Sequence, residues 1–203
     1  MRPEVAGPPR IFDRALQRRR RLRALRSEPV DFLLAHVAQE LAERLLAVKR
    51  DFHIAADIGT PGNALRAALR AQAIVPNMIA VDPLAARLPD RGQWHVAADE
   101  EALPFADGSL DLAVSALALQ SVNDLPGALA QIRRALKPDG LFLAALLGGE
   151  TLTELRQSFA AGESEIEGGV SPRVAPFADL RDLGALLQRA GFALPVADTD
   201  RVT

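Results

Sequence analysis

From Phe52 onward the chain alternates short apolar runs with stretches of helical periodicity: "HIAADIG", "ALRAALRAQ", "MIAVD", "QWHVAAD", "LDLAVSAL", "LPGALAQIRRAL" and "GLFLAALLG". Continuous apolar runs separated by helices are the pattern of strands buried on both faces, and they predict βαβ units in a parallel, doubly wound α/β sheet. Ahead of them, Phe32, Leu33, Val37, Leu41, Leu45 and Val48 form the apolar stripe of an amphipathic helix leading into the domain. "KPDG" at Lys137–Gly140 ends a helix and turns into a strand. Thr151 and Glu154 have capping-box spacing, which predicts a helix over "TLTELRQSFA". "AGESEIEGGVSPRVAPF" has little periodicity and reads as a long loop; "DLRDLGALLQRAGF" reads as a further helix, and "ALPVADTD" as the start of a strand.

Composition changes this picture little: 203 residues with 49% hydrophobic content suit one globular domain with a short appendage. The absence of cysteine excludes disulfides and a cysteine nucleophile, and His36, His53 and His95 are scattered without ligand spacing, so no metal site is expected. No apolar run reaches the roughly 18 residues that span a bilayer, which predicts a protein without a transmembrane segment, cytoplasmic in a bacterium.

Charge changes it more. Residues 1 to 28 hold nine arginines against three acids, a balance of +6, while the whole chain is at −2, leaving −8 on the remainder. A basic helical segment over residues 1–50, followed by an α/β domain over 51–203, is the expected organisation. The stretch "RALQRRRRLRALR" is open to readings as a nucleic-acid patch, a membrane-surface helix or a transit peptide; the acidic body also offers it an intramolecular partner, and no nucleic acid is expected.

Open α/β sheets bind ligands outside the carboxyl ends of their strands, where strand order reverses. The loop Asp57–Asn63 follows the first run, Asp82 ends the second, and Asp99 and Glu100 end the third. A carboxylate some twenty residues past a glycine turn can accept ribose hydroxyls. No lysine follows as in a P-loop, and G-x-G-x-x-G is absent, so an adenosyl ligand without pyrophosphate, S-adenosylmethionine or its demethylated product, fits best.

These residues resemble the class I S-adenosylmethionine-dependent methyltransferase superfamily. More narrowly, "IFDRALQRRR", "ADEEALPF", "SVNDLPGALAQIRRALKPDGLFLAALLGGETLTELRQSF" and "EGGVSPRVAPF" are similar to the family of mitochondrial complex I assembly factor 5 and its bacterial relatives, and then to the malonyl-acyl-carrier-protein methyltransferases. The resemblance implies a Rossmann-like fold and places Asp57 and Gly59 at the methionine end, Asp82 at the ribose, Asp99 and Glu100 at the adenine, and Ala116, in the segment Ser115–Leu119, beneath the ligand, with Gly62 of the same loop a further cofactor-binding candidate. Gln120, Ser171, Arg173 and Phe177 become the candidate substrate contacts, with no catalytic side chain assigned. It implies methylation of a protein or acyl-carrier substrate or, in the assembly-factor manner, arginine hydroxylation of a respiratory complex I subunit, with a mitochondrial matrix location in a eukaryote. A non-catalytic binding protein is the remaining alternative.

Three departures qualify it. The family loop D-x-G-x-G-x-G has Pro61 at its second glycine and Asn63 at its third; proline has no N–H, and one lost donor to a carboxylate costs about 1.5–3 kcal/mol. Gly62 can restore part of it by shifting the turn. Gln120 and Ser121 stand where assembly-factor relatives carry His and Trp. Family members continue beyond Thr203, so the final antiparallel strand is expected to be missing.

Overall fold

The computed structural model describes residues 10–84 and 94–202. They divide into two compact units, Met1–Leu146 and Leu147–Thr203.

The first unit is built on a five-stranded sheet of β1 (Ala55–Ile58), β2 (Met78–Val81), β3 (Trp94–Val96), β4 (Leu110–Ala116) and β5 (Leu136–Ala145), in the order β3-β2-β1-β4-β5. Every neighbouring pair is parallel, so this is an open Rossmann-like sheet flanked by helices. β1 is buried at every position and β4 at all but Asp111, as expected of strands covered on both faces. Strand order reverses between β1 and β4, and this is the crevice where such sheets take ligands.

Helices α1 (Arg14–Ala24) and α2 (Phe32–Ala47) precede the sheet, α3 (Ala64–Ala71) connects β1 to β2, and α4 (Leu125–Ala135) connects β4 to β5. Alternate residues of β4, Leu112, Val114 and Ala116, share one buried cluster with Ala38, Leu41, Ala42 and Leu45 of α2 and Leu65 and Leu69 of α3. Each buried leucine contributes about 1.5–3 kcal/mol. The predicted α2 stripe is therefore correct at Leu41 and Leu45, but Phe32 at its start is exposed. α4 begins as its sequence asks: the Asp124 side chain accepts the Gly127 N–H at 2.8 Å, with Pro126 in the first turn. The "KPDG" turn interrupts pairing of β5 with β4 between Leu136 and Leu141, with Asp139 at φ +61°.

The second unit holds α5 (Thr153–Ile166) and α6 (Leu180–Arg189). Three expectations are corrected here. α5 starts behind Leu152, at φ +57°, with no side-chain cap, so the Thr151–Glu154 capping box does not form. The helix also takes in the first part of the predicted loop, because residues 161–166 contain no proline and Glu163, near the helix end, holds the returning chain through the Ser171 N–H at 2.7 Å. "ALPVADTD" forms no strand: Leu194 and Val196 are exposed, and Pro195 offers no N–H for a ladder. Among the described residues the sheet contains no antiparallel strand.

Candidate functional site

The glycine loop leaves β1 at its carboxyl end, at the sheet's reversal point. Gly59 (φ +73°) and Gly62 (φ +69°) both adopt the left-handed conformation, and the Gly59 N–H is fixed by Val81 O at 2.8 Å. The turn thus uses the glycines on either side of Pro61, which is how it accommodates a residue confined to negative φ. Thr60, between them, is buried, and its hydroxyl accepts the Ala116 N–H at 2.9 Å. Ser115 Oγ donates to Ile58 O at 2.7 Å, so the loop is pinned to the end of β4 by two side-chain hydroxyls.

Asp57 is buried and pairs with Arg66 from the first turn of α3, whose guanidinium also donates to Gly62 O. Burial raises the Asp57 carboxyl above its ordinary value, opposed by the Arg66 guanidinium and the Thr60 hydroxyl. Thr60 and Arg66 were missed at the sequence level. Thr60 carried a weak signal, a hydroxyl inside a glycine turn, whereas Arg66 reads as an ordinary surface position of an alanine-rich helix.

The other acids converge on the same crevice. Asp82, at the end of β2, receives the Leu84 N–H at Oδ1 (2.6 Å) and Arg21 at Oδ2. Asp99 receives Arg14 at 3.0 Å and the Glu101 N–H at 2.9 Å, both at Oδ1, and Arg18 at Oδ2. Glu100 is buried, pairs with Arg14, and lies against the loop: a methyl group on Gly59 would stand 2.6 Å from Glu100 Oε1. Partial burial pushes the Asp99 carboxyl up, but the Glu101 N–H, Arg14 and Arg18 outweigh it and hold it below its ordinary value. Burial holds Glu100 above its own, with Arg14 opposing. Burial also works against the charge of Arg14, but Glu100 and Asp99 raise it overall.

The structure therefore brings Asp57, Gly59, Gly62, Asp82, Asp99, Glu100 and Ala116 together at the carboxyl ends of β1 to β4. Gln120 follows in a 3-10 turn, Leu119–Ser121; its amide donates to Leu117 O at 2.8 Å, and its buried Oε1 has no partner among the described residues. Ser171, Arg173 and Phe177 belong to the second unit. There the Ser171 N–H and the Arg173 guanidinium are both taken up by Glu163, and Phe177 is half-buried.

Comparison with known proteins agrees with this architecture. Residues 56–144 match the methyltransferase domain family. The mitochondrial arginine-hydroxylase NDUFAF5 of Rattus norvegicus is 43% identical over 199 residues, covering 95% of this chain and 58% of that protein. The malonyl-[acyl-carrier protein] O-methyltransferase of Xylella fastidiosa is 34% identical over 203 residues, covering 95% of this chain and 67% of that protein. The chain belongs to the class I S-adenosylmethionine-dependent methyltransferase superfamily. A solved methyltransferase of the superfamily, from Thermotoga maritima, superposes with a TM-score of 0.57 at 22% identity, over 90% of this chain and 80% of that one. The chain spans little more than half the length of its mammalian mitochondrial relatives.

Proposed function

We propose that this superfamily member binds S-adenosylmethionine across the carboxyl ends of β1 to β4 and acts as a methyltransferase on a protein or acyl-carrier substrate. The observation that carries the reading is the convergence of Gly59, Asp82 and Glu100 on one crevice at the reversal point of the sheet. The residues fit the ligand: Gly59 presents bare backbone, Asp82 offers a carboxylate to a ribose diol, and Asp99 and Glu100 stand at the next strand end. Bound there, S-adenosylmethionine supplies an activated methyl group. The protein's part is to orient the acceptor and exclude water, and Gln120, whose Oε1 just past β4 has no partner among the described residues, is the proposed orienting group. Ser171, Arg173 and Phe177 remain the proposed substrate contacts.

Calorimetric titration with S-adenosylmethionine tests the reading: saturable heat that disappears in Asp82→Ala supports it, and no heat at millimolar ligand sinks it. A second reading, arginine hydroxylation of a protein such as a respiratory complex I subunit, is favoured by the 43% identity to the rat arginine-hydroxylase. Mass spectrometry of an arginine-bearing acceptor peptide after incubation separates the two products by their mass increments.

A further inference from the structure

The arginines of α1 that meet the strand-end acids are Arg14, Arg18 and Arg21, spaced by four and three residues, so they lie along one face of that helix. Between them they reach three carboxylates at the ends of two adjacent strands. With Leu84 N–H on one oxygen and Arg21 on the other, both oxygens of Asp82 are engaged. Both oxygens of Asp99 are engaged as well, and Arg14 holds Glu100, the side chain that lies against Gly59. The groups that would receive an adenosyl ligand are in this state receiving guanidinium groups.

No residue of α1 is fully buried, and its Leu16 is half-buried. The helix is held by ion pairs on its arginine face and by polar contacts at its start: Asn123 Oδ1 accepts the N–H groups of Ile11 and Phe12 at 2.8 Å each, and Gln17 Nε2 donates to Ser121 Oγ at 2.7 Å. An element that contains no fully buried residue is among the first to open, because polar contacts can be exchanged for water. The start of α1 is fastened beside Gln120 while its arginine face crosses the ends of β3 and β2. Polar contacts to Asn123 and Ser121 can persist while the arginine face lifts.

We propose that α1 is an intramolecular gate whose Arg14, Arg18 and Arg21 occupy Glu100, Asp99 and Asp82, so that cofactor binding requires these pairs to break. The proposal rests on the cofactor reading given above. A ribose diol and the Arg21 guanidinium make competing claims on one carboxylate, so each weakens the other. Arg14→Gln/Arg18→Gln/Arg21→Gln is expected to bind S-adenosylmethionine about tenfold more tightly than the wild type by calorimetry, an ordinary size for two-site coupling. In the wild-type protein the same ligand is expected to speed tryptic cleavage at Arg18–Arg23; this second measurement decides the matter should the triple variant not fold. Binding by the wild type as tight as or tighter than the variant's, or protection of α1 from trypsin by ligand, overturns the gate and leaves the cofactor reading standing. No heat from either protein at millimolar ligand overturns both.

Discussion

At the residue scale the site turns on positions where one atom decides. Gly59 has a left-handed φ and Glu100 directly against its open side, so Gly59→Ala incurs both backbone strain and a clash with a buried carboxylate. The expected loss is about 1–3 kcal/mol of stability, read as a lower urea midpoint, with cofactor binding reduced in parallel. Arg66 poses the opposite problem, a charge retained in the interior. Arg66→Met leaves Asp57 buried beside an apolar chain, and the expected cost is about 3–5 kcal/mol. Adding Asp57→Asn removes the orphaned charge, so the double variant is expected to recover much of that loss in the same denaturation measurement; a simple sum of the two single effects would contradict the pairing. The position of the candidate residues Asp57, Asp82 and Asp99, in or just past the last residues of strands, was legible in the sequence because a strand's end is marked by its pattern. Arg66, and the arginines that bind Asp82 and Asp99 from 61 and 85 positions away, were not, because no local pattern encodes a long-range ion pair.

At the element scale the strands and helices of the sheet were legible for the same reason, since each carries its own periodicity and its own stop. The two elements that differed depend on something else. "ALPVADTD" has strand-like composition, but a strand exists only by pairing, and Pro195 weakens it as a partner. α5 runs past its expected end because contacts from Ser171 and Arg173 to Glu163 support its last turns. Asp111 at the start of β4 shows how one side chain joins elements: it accepts the backbone N–H of His53 and Ile54 just before β1 and the Lys137 ammonium of β5. The Lys137 hydrogen bond, opposed by burial and helped by the Ile54 and His53 N–H groups, holds the Asp111 carboxyl below its ordinary value. A depressed carboxylate stabilises the fold above its unfolded pKa of about 3.9 and loses that contribution as pH falls through the folded value. Asp111→Asn is therefore expected to be less stable than the wild type at pH 7, with the gap closing as the pH is taken below about 4. Urea midpoints measured across that range check it, and a gap that widened with acid would exclude the mechanism.

At the scale of the whole molecule, charge segregation and burial rank the elements by how easily each opens. Of the basic segment visible as +6 in the sequence, Arg14, Arg18 and Arg21 pair with acids of the body, the intramolecular partner that one reading of the sequence offered, and no residue of their helix is fully buried. β1 and β4 are buried nearly throughout, while α1, α5 and α6 contain no buried residue. Hydrogen exchange is expected to follow this order, with amides of β1 and β4 opening only on global unfolding and those of α1, α5 and α6 exchanging by local opening. Salt separates the three helices from one another. Screening at about 1 M shortens the Debye length to about 3 Å, so exchange in α1 is expected to accelerate with ionic strength, while β1 and β4 hold their protection. α5 and α6 carry fewer charge contacts among the described residues and are expected to respond less. If α1 kept its protection in high salt, attachment by ion pairs would be wrong, whatever the site beneath it binds.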